Sequence, residues 1–179
     1  KLGWEDAEGL EVSEYAYKFA KKRGVKVKKG TLDDTYPKES FGIVAYQDVI
    51  EHVTNPIDEL KKIYKILKPG GIVYLVTPDV GGFWSKLLGP LWYHYKPIEH
   101  VVYFSQETMR RALINAGFKN IKTSKTYHVL SLEYILNRLM YYTPFLFEFL
   151  LRVVRKTPFK DISFRAYTGE LEAWGQKPN

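Results

Sequence analysis

One short apolar run in this chain ends in a knot of residues that could do chemistry. Ile43 to Tyr46 reads as a strand buried on both faces, and Gln47, Asp48, Glu51 and His52 follow at its carboxyl end. Ligands of open α/β sheets bind in the crevice outside the carboxyl ends of the strands, so the cluster marks where a site should lie. A histidine can take or give a proton near neutral pH, which makes His52 one candidate base. His100 is the other, and it follows a stretch carrying Trp92, Tyr93, His94 and Tyr95. Such an aromatic stretch would make a natural wall for a bound molecule, so His100 ranks first. The chain has no cysteine, and no carboxylate–histidine grouping has ligand spacing on a single element; no metal is expected.

The elements that must hold these residues alternate between strand and helix. After the cluster, Asn55 and Pro56 pair an N-cap with a proline at the first helical position. Ile57, Leu60, Ile63, Tyr64 and Leu67 form that helix's buried stripe, Gly70 and Gly71 close it, and Ile72 to Val76 is the next buried strand. Upstream, Gly9 to Val12 ends a strand, Ser13 caps a helix, Gly24 stops it, and Val25 to Val27 is a short strand. Downstream, Ser105 caps a helix that Gly117 stops, and Asn120 to Val129 alternates as a strand. Ser131 to Lys156 is an aromatic helical segment broken at Pro144, and Phe164 to Gln176 reads as a final edge strand. The expected class is α/β, a mostly parallel sheet with helices on both faces and an antiparallel tail.

At 179 residues the chain is one domain, 1–179, with an aromatic loop at 80–104 and a helical insertion at 131–159. Zero cysteines fit a reducing compartment, and no run reaches membrane-spanning length, which points to a cytoplasmic protein. The N-terminus has no apolar h-region and no Met, so the chain is expected to begin partway through a gene product. Net charge is +7, and Lys18, Lys21, Lys22, Arg23, Lys26, Lys28 and Lys29 cluster near the N-terminus. A solvated helix face explains that cluster more simply than a nucleic-acid partner.

Several segments, in order, carry a family likeness: GLEVSEYAYKFAKKRG, GTLDD, ESFGIVAYQDVIEHVTNPIDELKKIYKILKPGG, YLVTPD, EHVVYFSQETMRRALINAGF and GELEAWGQKP. The chain resembles class I S-adenosylmethionine-dependent methyltransferases, especially the ubiquinone-biosynthesis type that act on small molecules. The resemblance implies a Rossmann-like fold, S-adenosylmethionine as cofactor and S-adenosylhomocysteine as product. It implies that Glu11 binds the ribose hydroxyls, that Thr31 and Leu32 meet the adenine, and that Tyr46 and Gln47 lie beside the methionine end. A carboxylate's two acceptor oxygens suit a vicinal diol independently of the likeness.

Implied too is a small-molecule or lipid-like acceptor, methylated on oxygen or nitrogen, with a homo-oligomer as a further expectation. The strand and Gly-rich loop with which the family begins have no counterpart in this chain. A scaffold that does not bind the cofactor and an RNA methyltransferase using the basic face are the alternatives.

Overall fold

Four of the six described α-helices start where a side chain satisfies a free backbone N–H. A computed structural model describes residues 6–33 and 35–179; Asp34, within GTLDD, lies outside the described residues. The Ser13 hydroxyl accepts from the Ala16 N–H and opens α1, Glu14–Lys22, after β1, Gly9–Glu11. The strand β2, Val27–Lys29, comes two residues later than the sequence pattern suggests. β3 is Phe41–Gln47, and Asn55 caps α2, Pro56–Ile66, through the Asp58 N–H. β4, Leu67–Pro78, starts directly at the end of α2 and runs through Pro69–Gly71, so those glycines lie inside the strand. Next come α3, Phe83–Leu88, and α4, Gln106–Asn115, the latter opened by a Ser105–Thr108 capping box. β5, Lys119–Ser131, leads into α5, Leu132–Leu139, then α6, Pro144–Arg155, with Pro144 in its first turn as expected, and finally β6, Ser163–Gln176.

Two sheets result. β1 and β2 pair in parallel as a ribbon, and the second sheet has the order β3-β4-β6-β5. β3 and β4 are parallel, with Gln47 opposite Val76, whereas β6 runs antiparallel to both β4 and β5. β3 is therefore an edge strand of the described sheet, which corrects the expectation that both its faces are buried. Ile43, Ala45 and Gln47 are exposed, while Val44 and Tyr46 face the side covered by α2.

The position of β6 is the second correction. Phe164 to Gln176 was expected at an edge, yet β6 pairs on both sides and β5 takes the edge. The carboxylates of GELEAWG suggest a wet strand, but each finds partners. Glu172 accepts from Tyr74 at 3.0 Å and Ser124 at 2.7 Å, and Glu170 is bonded by Thr168 and His128. Polar groups satisfied in this way can occupy an inner strand. At Gly169 the strand bends with φ +98°, and the Trp92 indole sits 3.0 Å from where a Cβ would stand. Only glycine combines that conformation with that approach.

The core lies between the second sheet and α2 and α4, around Leu60, Ile63, Leu75, Met109, Leu113 and Leu171, all fully buried. β6 enters it so closely that a Cβ on Gly175 would stand 2.9 Å from Phe118 Cβ. Gly175→Ala should therefore cost about 1–3 kcal/mol by overpacking. Urea unfolding of the variant checks this, and an unchanged midpoint would contradict an inner β6.

Candidate active site

The polar cluster is built where β3 and β4 end together. Asp48 leaves β3 with φ +52°, turning the chain into a short 3-10 helix, Ile50–His52, whose Ile50 is fully buried as an anchor. Glu51 turns inward beside it. Its carboxylate is buried and accepts from the Thr77 hydroxyl at 2.9 Å, at the end of β4. The Glu51 backbone carbonyl accepts from the N–H groups of Val101 and Val102, at 2.9 and 3.1 Å. One residue thus joins both strand ends to the segment that carries His100. Burial pushes the Glu51 carboxyl above the usual carboxylate range, against the pull of the Thr77 hydrogen bond.

The two candidate bases meet here. The rings of His52 and His100 lie edge-to-face with centroids 4.9 Å apart, although 47 residues separate His52 from its other partner, the Glu99 carbonyl. That carbonyl is 2.7 Å from His52 Nδ1 and can only accept, so Nδ1 carries the proton and neutral His52 keeps its lone pair on Nε2. His52 is exposed; His100 is buried, and its Nδ1 has no hydrogen-bond partner among the described residues. Burial, then the neighbouring His52, holds the His100 imidazole below its ordinary pKa, so it stays neutral near pH 7. Glu51, His52 and His100 each offer a ligating atom within 4.8 Å of the others. A divalent cation could bind such a set, which two separate elements supply; the expectation of no metal considered single elements only.

A second polar group borders the first. The Glu170 carboxylate, buried on β6, contacts His128 Nε2 and lies 3.8 Å from His94 Nε2. All four histidines of the chain thereby gather near the carboxyl ends of β3 and β4. Sequence reading passed over Glu170, His94 and His128, because nothing in their spacing signals that β5, β6 and the aromatic loop converge. Carboxylates of Glu170 and Asp48 add to burial in raising the Tyr134 phenol, which sets α5 over the same strand ends.

The residues expected at the cofactor lie in two groups. Glu11 stands at the end of β1, where one carboxylate oxygen accepts from the Ser13 N–H at 2.7 Å. Its other oxygen has no protein partner among the described residues. A cavity of about 340 Å³ opens on the same β1–β2 ribbon, lined by residues that include Leu10, Lys28, Lys29, Gly30, Thr31 and Tyr36 but not Glu11. A cavity of this size one residue from that carboxylate has room for a nucleoside. Thr31 is exposed there, but the Leu32 side chain is buried in the core with Leu60 and Ile63. Gln47 and Tyr46 share the end of β3 and point to opposite faces. Gln47 is exposed, and the Tyr46 hydroxyl donates to Glu59 of α2 at 2.7 Å.

A family model described as a methyltransferase domain matches residues 1–123. The chain belongs to that methyltransferase family. Among solved structures, an S-adenosylmethionine-dependent methyltransferase of Thermotoga maritima superimposes with a TM-score of 0.63 at 23% identity, over 95% of this chain and 72% of that one. That likeness shows the Rossmann-like methyltransferase fold. Among relatives, an uncharacterized protein of Methanocaldococcus jannaschii, MJ1123, is 29% identical over 66% of this chain and 58% of its own length. The chloroplastic 2-methyl-6-phytyl-1,4-hydroquinone methyltransferase 2 of Oryza sativa subsp. japonica is 26% identical over 58% of this chain and 28% of its own. The chain thus spans less than two thirds of the curated relatives it matches.

The buried histidines have a consequence for stability. Burial pushes His94 down to about 4, and the Glu170 carboxylate, already engaged by His128, does not offset it. Because the unfolded chain binds these protons near the ordinary pKa of about 6.5, stability should be full above that pH and fall as pH drops toward 4. Urea midpoints at pH 7.5, 6 and 5 check the decline, and His94→Gln should flatten it.

Proposed function

We propose that the protein transfers a methyl group from S-adenosylmethionine to an oxygen or nitrogen of a small, apolar acceptor at the carboxyl ends of β3 and β4. The observation that carries this reading is the His52–His100 pair, fixed by Glu51 beside an aromatic wall. When bound, the cofactor supplies an electrophilic methyl group on sulfur. Glu11 would hold the ribose, the Thr31 turn the adenine, and Gln47 the methionine end.

The chain's own contribution is then to position the acceptor, exclude water and take its proton. What favours His52 as the proton acceptor is its Nε2 lone pair, directed by the bond from Nδ1 to the Glu99 carbonyl. This reverses the order expected from sequence, since His100 is the buried member of the pair. Neutral His100, with its ring centroid 4.9 Å away, adds no positive charge against the proton that His52 takes up.

An apolar acceptor suits the surroundings. Phe83, Trp84, Tyr93 and Tyr95 belong to the aromatic loop, and the rice relative bears the name of a hydroquinone methyltransferase. An RNA acceptor finds less support. Of the seven clustered cations, Lys18, Lys26, Lys28 and Lys29 already face Glu14, Asp6 or Glu8, which leaves little charge for phosphates.

Calorimetry with S-adenosylmethionine on the complete polypeptide that carries this chain should give micromolar binding, weakened on the order of tenfold by Glu11→Ala. No binding by a folded protein would sink the proposal. His52→Asn should lower turnover of a prenylated hydroquinone by roughly 10²–10⁴-fold with cofactor affinity unchanged, and His100→Asn by less.

A further inference from the structure

The helical hairpin of α5 and α6 exposes an apolar stripe that the rest of the fold does not use. α6 buries Leu151 and half-buries Phe147, Leu150 and Val154 on its inner side. On the outer side Phe145 is 89% exposed and Phe149 62%, with Leu146 and Val153 beside them. Spacing of three, four and seven residues puts Glu148, Arg152 and Lys156 on that same side, with Arg152 paired to Glu148 at 2.6 Å. Across residues 131–165 six Lys and Arg side chains stand against three carboxylates. A greasy, aromatic stripe edged with cations is complementary to phospholipid with anionic headgroups, where rings enter the interface and cations meet phosphate.

We propose that the outer face of α6 docks on an anionic phospholipid surface. The helix lies along that surface. At 12 residues it cannot cross a bilayer, and no described helix is long and apolar enough to do so. Docking also bears on the site. Tyr141, in the turn between the helices, packs edge-on against Tyr93 at 5.8 Å, and the Arg138 guanidinium bonds the Tyr93 hydroxyl. The hairpin would therefore hold the aromatic loop at the lipid boundary. The inference rests on the exposed stripe and its charges and is independent of the methyl-transfer reading.

Vesicle flotation of the complete polypeptide tests it, with phosphatidylcholine alone and with roughly a third phosphatidylglycerol. The wild type should float with the anionic vesicles, and Phe145→Ser/Phe149→Ser should bind them at least ~tenfold more weakly. Arg152→Gln/Lys156→Gln should lose the preference for anionic lipid, with unchanged circular dichroism showing that both variants fold. Absence of flotation by the wild type, or equal flotation by the double Phe variant, would overturn the proposal. So would a dimer in sedimentation velocity that the Phe substitutions dissociate.

Discussion

The site depends on one buried carboxylate. Glu51 has its side chain on Thr77 of β4 and its backbone carbonyl on Val101 and Val102, so it fixes three segments at a single point. Burying a carboxyl is costly unless it is hydrogen-bonded, and here burial is compensated by the Thr77 hydroxyl and by an upward shift of its pKa. Ile50, the preceding residue, is fully buried and anchors the same turn. The pairing of His52 with His100 is a consequence. One follows Glu51 in the chain, and the other precedes the two amides that Glu51 holds.

Much of this was legible in the residues. Caps at Ser13, Asn55 and Ser105, the stop at Gly117 and the break at Pro144 all act locally, and each was readable from its own neighbours. The cluster at the end of β3 was also legible, since an apolar strand followed by polar residues is a local pattern. What could not be read was long-range pairing. Glu170 and Glu172 look like solvent-facing residues until Tyr74, Ser124 and His128 are seen to answer them from other strands. The burial of His100 was hidden for the same reason, because it depends on where the 96–104 segment is pinned.

The division into two sheets shapes the reading of the cofactor site. Glu11 and Thr31 belong to the β1–β2 side and Gln47 to the edge strand β3, and the two sheets share no ladder among the described residues. A strand edge without a partner presents free backbone donors and acceptors that water or another strand must satisfy. β3 shows that edge together with an exposed Ile43, and α1 exposes Tyr15 and Phe19. The carboxyl ends of β3 and β4, by contrast, are tied to the 101–102 segment by Glu51 and Thr77.

Four histidines make the decisive measurement simple. Their imidazole resonances, followed by nuclear magnetic resonance through a pH titration with and without S-adenosylhomocysteine, report on the site directly. The account predicts that His100 titrates below the ordinary value of about 6.5 and that saturating S-adenosylhomocysteine shifts the His52 and His100 signals together. A His100 pKa at or above that value, or His52 and His100 signals that stay unmoved by bound S-adenosylhomocysteine, would contradict it.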